Sequence, residues 1–520
     1  MVWNVYNNGL LTAMKKFFVL VMATFLATLA MDAQQRELRM GCVQQAVTTR
    51  GEEMYSLPAP YVFDAERTYR VPVILVAYES LGFSMDDAAR YYDRLFNERG
   101  FNEGVGRGCV SDYFREQSRG RANLEFDIYG PMVVDEPPKK SIGTNYGFMA
   151  QRKALTALRA TEERDFSIYD WEGDGEVNLV LFVFAGFTGN EMTGYVWPNS
   201  GAFSGLMPGG IYASFSSTSC ERIDDENLCG IGTIVHEFCH YLGLPDIYPL
   251  PPATSYSTVD EWDVMDGGNY TNYGWCPPNL TAMELMYLGW DMPVELDEPV
   301  RVEAMKSLSE GGKTYMIRSG YYRNEFYLLE NRQQEGWDYG IPGKGLVIYH
   351  VDFDEVAWRN NKVNVSDSHY RYDLFHADGL NYRAWDGKNN GKDNTRWTME
   401  HRLRSSYLST AAYPYTDALT HEVNARLTDD SKPAATLYNS TDQGRQFMGK
   451  PITNICMSTD GTVSFNFMTD ETGIEAIDYL AIDNLRFDVQ AWFSLDGRRL
   501  SGKPAQRGVY VNGRRKVLVK

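Results

Sequence analysis

The sequence predicts an α+β protein of several domains, and three observations lead to this prediction. The chain has 520 residues, which exceeds what a single hydrophobic core usually organises. Between about residues 70 and 240, apolar runs of strand length alternate with helical segments, which indicates a mixed sheet covered by helices. After Trp290 the pattern changes to short β-type runs separated by Gly and Asn turns, which predicts a β-rich region.

The first 33 residues have the pattern of a signal peptide, with translation expected to start at Met14. A basic segment ending at Lys16 precedes an apolar run over 17–30, and small residues follow at Ala33. A retained membrane anchor is the alternative, but about fourteen apolar residues are too few to span a bilayer comfortably. We therefore expect an exported protein, secreted or at the cell surface, with no stable membrane span. Residues 34–68 are polar and unpatterned, which is typical of a propeptide or a linker.

The first folded region is predicted to cover residues 69–292. Its expected elements are a strand over 71–78, a helix over 84–97 with Ser84 as N-cap, a helix over 109–118, a strand over 122–129, a helix over 148–161 and a strand over 177–184. An edge strand near 194–197 is expected to be available for pairing with an added peptide strand. In the sequence, these strands and helices come directly before the segment that contains the candidate metal ligands.

That segment starts at Gly232 and contains two histidines spaced four residues apart, His236 and His240. On a helix this spacing projects both imidazoles from one face, where they can share a metal ion. Glu237 stands beside the first histidine, in the position of a general base acting on water. The apolar residues of the opposite face are expected to bury that side of the helix. The pattern predicts a zinc site with Glu237 as its catalytic residue.

The third ligand is predicted to be Asp246. Gly243 allows a sharp turn after the helix, and Pro245 prevents the helix from resuming. Asp246 follows His240 by six positions, the spacing of the third ligand in the extended pattern H-E-x-x-H-x-x-G-x-x-H, with aspartate in place of histidine. Glu261 is the rival third ligand, at the distance used by thermolysin-like enzymes, but it follows a Pro-rich and Ser/Thr-rich stretch that predicts a loop.

Downstream, Met265 precedes two glycines in Glu261-Trp-Asp-Val-Met-Asp-Gly-Gly268, as does the methionine of the turn that underlies metzincin zinc sites. Met265 is therefore predicted to form a Met-turn below the metal. The alternative is an ordinary buried methionine in a loop, a position that methionine fills readily.

These residues resemble the immune inhibitor A family of secreted bacterial metallopeptidases, whose zinc motif reads H-E-x-x-H-x-x-G-L-P-D and is complete here. The resemblance covers about residues 70–355 and includes Val110-Ser-Asp-Tyr-Phe-Arg-Glu-Gln-Ser118 and Pro342-Gly-Lys-Gly-Leu-Val-Ile-Tyr-His-Val-Asp352. It implies a metzincin-like catalytic domain with bound zinc and protein or peptide substrates. One departure concerns the tyrosine that some metzincins place two residues after the methionine, because Gly267 stands there. Whether Tyr270 takes its role stays open, as does whether Cys42 caps the zinc in a latent form.

A second metal site is suggested by the acidic loop that starts at Asp170. It contains four carboxylates, Asp170, Glu172, Asp174 and Glu176, together with two glycines directly before a strand. Calcium prefers many oxygen ligands on a tight turn, so these four residues are candidate calcium ligands. The alternative is a solvated acidic turn, because the spacing of an EF-hand loop is incomplete.

The rest of the chain is predicted to form a β-rich accessory domain over 293–472 and a small β-module over 473–520. Asp496-Gly497 and Asn512-Gly513 are hairpin turn signals between short strands. This last segment resembles the C-terminal sorting domains of proteins exported by Bacteroidetes, which implies a role in delivery outside the cell.

Taken as a whole, the sequence predicts a secreted zinc-dependent endopeptidase. The net charge of −19 argues against nucleic acid as a partner. The alternative is an inactive metzincin-like adhesin or a protein- or glycan-binding module, which would keep the fold and lose the chemistry. The intact Glu237 favours the enzyme.

Overall fold

The computed structural model describes the greater part of the chain. The described residues are 43–44, 57–103, 105–135, 147–187, 196–223, 226–251, 253, 259–379, 408–441, 444–469, 492–493, 499–500, 504, 508–512 and 515–519. The predicted signal peptide and Cys42 lie outside them. The protein has a mixed α/β structure with several sheets and short helices, which is compatible with the predicted α+β class.

The first sheet is mixed, as the sequence predicts. Its strands are β1 (Val43–Gln44), β2 (Tyr69–Tyr78), β3 (Leu124–Val134), β4 (Glu176–Val177), β5 (Val180–Phe187), β6 (Asn199–Leu206) and β7 (Tyr212–Arg222). The order is β1-β6-β7-β5-β2-β3, with β4 paired to β7. The β6–β7 pair is antiparallel, whereas the other pairings are parallel.

Helices cover both faces of this sheet. They are α1 (Ala88–Asn97), α2 (Val110–Gln117), α3 (Phe148–Thr161) and α4 (Gly232–Tyr241), with α5 (Ala282–Tyr287) and α6 (Glu355–Arg359) further along the chain. Because side chains alternate along a strand, Val71, Val73 and Leu75 of β2 join the core that contains α1, α2 and α4. Ile74 and Val76 face the opposite core, which contains α3.

One local prediction in this region is wrong. Ser84 does not cap α1, because its N–H and Oγ both donate to Oε1 of Glu221, at 2.5 and 2.6 Å. Asp87 is the N-cap instead and accepts from the N–H of Arg90. Of the strand expected near 194–197, residues 194 and 195 lie outside the described part of the chain, so this prediction stays untested; β6 begins two residues later, at Asn199. The helix over 148–161 is confirmed.

The β-rich region after Trp290 is also confirmed. Its strands are β8 (Val294–Glu295), β9 (Val300–Met305), β10 (Tyr315–Arg318), β11 (Glu325–Arg332), β12 (Gly345–Asp352), β13 (Tyr372–Leu374), β14 (Tyr415–Thr416), β15 (Val423–Asn424), β16 (Ile452–Met457) and β17 (Val463–Phe467). One sheet has the order β13-β12-β11-β10-β8 and another the order β16-β17-β9, while β14 pairs with β15.

The β13-β8 sheet packs directly onto the first region, so the core continues across the predicted boundary at residue 292. Phe326 and Leu328 of β11 belong to the same core as α4, whereas Tyr327 and Leu329 face a second core shared with β9, β16 and β17. The alternation of side chains in β11 therefore gives this sheet two buried faces, one of which supports the α4 region.

The two ends of the chain differ in how they relate to this core. Leu57 and Phe63 are buried, so the packed region already begins within the segment predicted as propeptide or linker. Near the C-terminus, β18 (Trp492–Phe493), β19 (Arg499–Leu500), β20 (Gly508–Asn512) and β21 (Arg515–Val519) form a sheet of the order β19-β18-β20-β21. Antiparallel pairs span both predicted hairpin turns. Among the described residues, no helix is long and apolar enough to cross a membrane.

Candidate metal centre

Helix α4 carries the two histidines, and its N-terminus is held by chain that follows the predicted Met-turn. The N–H of Gly232 donates to the carbonyl of Gly274 at 2.8 Å, and a Cβ on Gly232 would lie only 2.0 Å from the carbonyl oxygen of Asn269. Glycine is therefore required for this close approach, since any side chain would displace backbone. The close contact of Gly232 with the backbone of Asn269 and Gly274 fixes the start of α4 relative to the segment that follows Met265.

The C-terminus of α4 ends in a Schellman motif, as the glycine predicts. The N–H of Gly243 donates to the carbonyl of His240 and the N–H of Leu244 to that of Cys239, both at 3.0 Å. Gly243 has φ +94, a conformation that L side chains rarely adopt. This turn reverses the chain within a few residues and brings Asp246 back beside the helix.

The structure brings His236, His240 and Asp246 together as the sequence predicts. Oδ1 of Asp246 lies 3.2 Å from Nε2 of His236 and 3.3 Å from Nε2 of His240. Ligands about 2.0–2.1 Å from zinc in a tetrahedral site stand about 3.3 Å apart. All three side chains are at most 1% exposed. Their ligand atoms all lie within 4.8 Å of one another, and no other group of three or more His, Cys, Asp or Glu side chains among the described residues converges in this way.

Hydrogen bonds to the other ring nitrogens fix the orientation of both imidazoles. Nδ1 of His236 lies 2.8 Å from the carbonyl oxygen of Val264, and Nδ1 of His240 lies 2.8 Å from that of Leu244. A carbonyl can only accept, so each Nδ1 carries a proton, and in the neutral imidazole each Nε2 then presents a lone pair. The converging Nε2 atoms and Oδ1 of Asp246 are buried without a hydrogen-bond partner in the protein. Three lone pairs that face one another in this way are a fitting environment for a cation.

Asp246 is ionised in this environment. Burial alone would raise the pKa of its carboxyl group, but positive charge on the facing imidazoles of His240 and His236, in the form protonated at Nε2, outweighs burial and holds the pKa well below its usual range. Its second oxygen, Oδ2, accepts a hydrogen bond from the side-chain amide of Asn361 at 2.6 Å. No pattern in the sequence pointed to Asn361, which lies 115 positions further along the chain.

Glu237 lies beside His236 on α4, and its backbone is attached to the first sheet. Its carbonyl oxygen accepts hydrogen bonds from Oγ of Ser200 on β6 at 2.7 Å and from Oγ of Ser217 on β7 at 3.0 Å. The side chain is buried with 1% exposure. The two serines were not predicted from the sequence, and together they fix the middle of α4 against two neighbouring strands.

The predicted Met-turn contacts the metal centre through its backbone. Val264 supplies the carbonyl that orients His236, and the carbonyl of Met265 accepts from the N–H of Ile247, the neighbour of Asp246, at 2.9 Å. Met265 itself is fully buried. The turn thus connects the first and third candidate ligands. Tyr270 stands at the end of the following 3-10 helix.

Glu261 and the acidic loop do not join this centre. Glu261 lies in a 3-10 turn and is outside the converging group, which supports Asp246 as the third ligand. In the acidic loop, the carboxylate of Asp170 accepts the backbone N–H groups of Gly173, Asp174 and Gly175. Asp170 therefore closes its own turn, and Glu172, Asp174 and Glu176 are exposed. Calcium binding there stays an untested prediction.

Comparison with known proteins adds no relative to this picture. No protein-family model matches the chain, and no curated protein matches it.

Proposed function

We propose that the chain is a zinc-dependent endopeptidase that cleaves protein or peptide substrates. The observation that carries this proposal is the convergence of Nε2 of His236, Nε2 of His240 and Oδ1 of Asp246, with each Nδ1 held by a carbonyl. Two imidazoles and a carboxylate suit zinc, and three protein ligands leave a fourth position for water or substrate, as in catalytic zinc sites.

Zinc bound there supplies Lewis acidity for the scissile carbonyl and lowers the pKa of water. Glu237 is the proposed general base and general acid. It follows His236 directly on α4, and its side chain is buried. As a general base it accepts the proton of the attacking water, and as the resulting acid it donates that proton to the leaving amine. The anchoring of its backbone by Ser200 and Ser217 limits its movement during both transfers.

The strand β6 is the proposed binding edge for an extended peptide. It runs beside α4, because Ser200 of β6 contacts the carbonyl of Glu237. Peptides commonly bind to such an edge as an added strand. In this structure β1 pairs with β6 in parallel, with Val43 opposite Asn199 and Gln44 opposite Ser200. A substrate strand at these positions has to displace β1, since one strand edge holds one neighbour.

The burial of the metal centre also suggests that this structure represents a latent form. His236, Glu237, His240 and Asp246 are each at most 1% exposed, so a peptide reaches them only after part of the chain moves. We propose that cleavage between Gln44 and Leu57 permits this movement, which limits the propeptide of the hypothesis for 34–68 to the part before Leu57, because Leu57 and Phe63 are buried.

The alternative is a binding module in which a buried metal serves only stability. The same burial is compatible with it, because a metal that serves only stability needs no access for a substrate. The count of ligands favours the enzyme, because structural zinc sites are almost always built from four protein ligands.

The experiment measures zinc content and digestion of casein by the purified chain, with and without a chelator. A specific protease site placed within 45–56 allows the chain to be cut before the assay. We expect bound zinc, chelator-sensitive digestion, and a higher rate after cutting. Zinc that is bound without any digestion, before or after cutting, would favour the binding module.

Glu237→Gln isolates the catalytic step. It keeps side-chain size but removes the base, so we expect digestion to fall by about 100- to 10,000-fold while zinc content stays unchanged. Glu163→Gln, at an exposed position in the segment that follows α3, is the matched control and should keep the wild-type rate. An unchanged rate in Glu237→Gln would contradict the mechanism.

A further inference from the structure

Asn361 makes two hydrogen bonds to the same residue, the candidate ligand Asp246. Its Nδ2 donates to Oδ2 of Asp246, and its Oδ1 accepts from the backbone N–H of Asp246, both at 2.6 Å. A carboxylate only accepts and a backbone N–H only donates, so one orientation of the amide satisfies both bonds. The pair therefore defines the position of the Asp246 backbone and the rotation of its carboxylate together.

The local fold presents Asn361 for this contact. Helix α6 ends in a Schellman motif, in which the N–H of Asn361 donates to the carbonyl of Trp358 and the N–H of Lys362 to that of Ala357. Asn361 occupies the left-handed position of that motif, with φ 53. Glycine is the residue that best tolerates this conformation, and asparagine is the next most common one there. The backbone alone would therefore be served by glycine, whereas the bonds to Asp246 require the side chain.

The loop that carries Asn361 is anchored to the metal-site turn by a second asparagine. Nδ2 of Asn364 donates to the carbonyl of Ile247 at 2.8 Å, and the carbonyl of Asn364 accepts from the N–H of Leu250 at 3.0 Å. Asn364 thus attaches the loop to the chain that follows Asp246. Docking of the loop and orientation of the carboxylate are consequently carried by two different side chains.

We propose that Asn361 is the positioning residue of the metal centre, and that it turns Oδ1 of Asp246 toward the two histidines by engaging Oδ2. The proposal rests on the proposed function only in requiring that the site binds zinc. With Oδ2 held by Asn361, Oδ1 is the oxygen that lies 3.2 and 3.3 Å from the imidazole nitrogens. The segment after β12 therefore completes a metal site whose ligands all come from 236–246.

The test measures the zinc dissociation constant of the full chain by competition with a chromophoric chelator. Asn361→Gly removes the side chain and keeps a residue suited to φ 53. We expect zinc binding to weaken by about 10- to 100-fold, the range for partners that orient metal ligands. The visible absorption of the cobalt-substituted protein should also change, because the carboxylate ligand is no longer fixed.

Asn361→Asp separates the two hydrogen bonds. It keeps an acceptor for the N–H of Asp246 but places an oxygen against Oδ2 in place of the donor, so we expect weakened zinc binding here as well. Wild-type affinity in Asn361→Asp would show that the backbone bond suffices and would overturn the proposal.

Asn364→Ala is the matched control. It loses the contact to the carbonyl of Ile247 and should lower the melting temperature, yet its zinc dissociation constant should stay close to that of the wild type. Unchanged zinc binding in Asn361→Gly, or an equal loss in both variants, would overturn the positioning role. Failure of the wild-type chain to bind zinc would instead overturn the proposed function, and this inference with it.

Discussion

The carbonyl of Leu244 accepts a hydrogen bond from Nδ1 of His240 at 2.8 Å, so the turn that ends α4 also orients a ligand on its last turn. This hydrogen bond depends on Gly243, because the Schellman motif at that residue turns the chain back so that Leu244 lies next to the last turn of α4. The glycine that terminates the helix is thereby part of the metal centre.

We expect Gly243→Ala to lower both stability and zinc affinity. A Cβ at this position would lie 2.6 Å from the carbonyl oxygen of Pro58, and φ is +94. Gly173→Ala is the matched control, since Gly173 has φ +73 with nothing within 4 Å of the added atom. The control should cost about 1–2 kcal/mol of unfolding free energy from backbone strain alone, and Gly243→Ala should cost more. Chemical denaturation and chelator competition measure the two effects; equal losses of stability and unchanged zinc binding would contradict this prediction.

Asp246→Ala should greatly reduce zinc content, because it removes the anionic ligand of the triad. The loss should exceed the about 10- to 100-fold effect typical of a residue that only orients a ligand. Glu261→Ala is the control, and it should retain zinc because Glu261 lies outside the converging group. Metal analysis after dialysis distinguishes the two variants. Loss of zinc in Glu261→Ala together with its retention in Asp246→Ala would assign the third ligand to Glu261.

A buried pair of carboxyl groups below the Met-turn should make stability depend on pH. Burial raises the pKa of Glu284 to about 7. Burial, with the facing charge of Glu284 as a further cause, raises the pKa of Asp263 well above its usual range. Oδ1 of Asp263 accepts from the N–H of Met265 at 2.7 Å, so the pair supports the Met-turn.

A carboxyl with a raised pKa binds its proton more tightly in the folded than in the unfolded state. Its stabilising contribution is complete below the unfolded pKa, about 4.3 for Glu, and is lost as the pH rises through about 7. As the pH rises from about 5 to about 8, the unfolding free energy of the wild type should fall. We expect the fall in Glu284→Gln to be smaller by on the order of 1–3 kcal/mol. Urea denaturation across this range measures the difference. Parallel pH profiles would show that the pair is not the cause.

Residues from 473 onward should be dispensable for zinc binding and peptide cleavage. The strands β18 to β21 pair with one another in a sheet of their own, and the candidate ligands and Glu237 lie far upstream. A chain that ends at residue 472 should keep its zinc content and digestion rate when purified. The same truncation in the native host tests the sorting hypothesis, which predicts that the truncated chain no longer reaches the culture medium. Loss of activity in the purified truncation would make the tail part of the enzyme.

The sequence by itself determined the chemistry of the centre. The spacing of His236 and His240, the glycine at 243 and the proline at 245 act within a few residues, where helix periodicity and backbone sterics decide the geometry. Those local rules were sufficient to place Asp246 next to both histidines. Local rules also predicted the mixed sheet, the β-rich region and the hairpins of the C-terminal segment. Each of these features is indicated by the spacing of apolar residues along the chain or by the residues that favour turns.

Tertiary structure decided what surrounds the ligands. Asn361 contacts Asp246 across 115 positions, and Ser200 contacts Glu237 across 37, so no local spacing could indicate either contact. Ser84 illustrates the same limit, because a carboxylate 137 positions away competes for the groups that would cap a helix. Contacts of this kind form only when separate segments are brought together by burial of a common core, and the identity of the partner depends on packing over the whole chain.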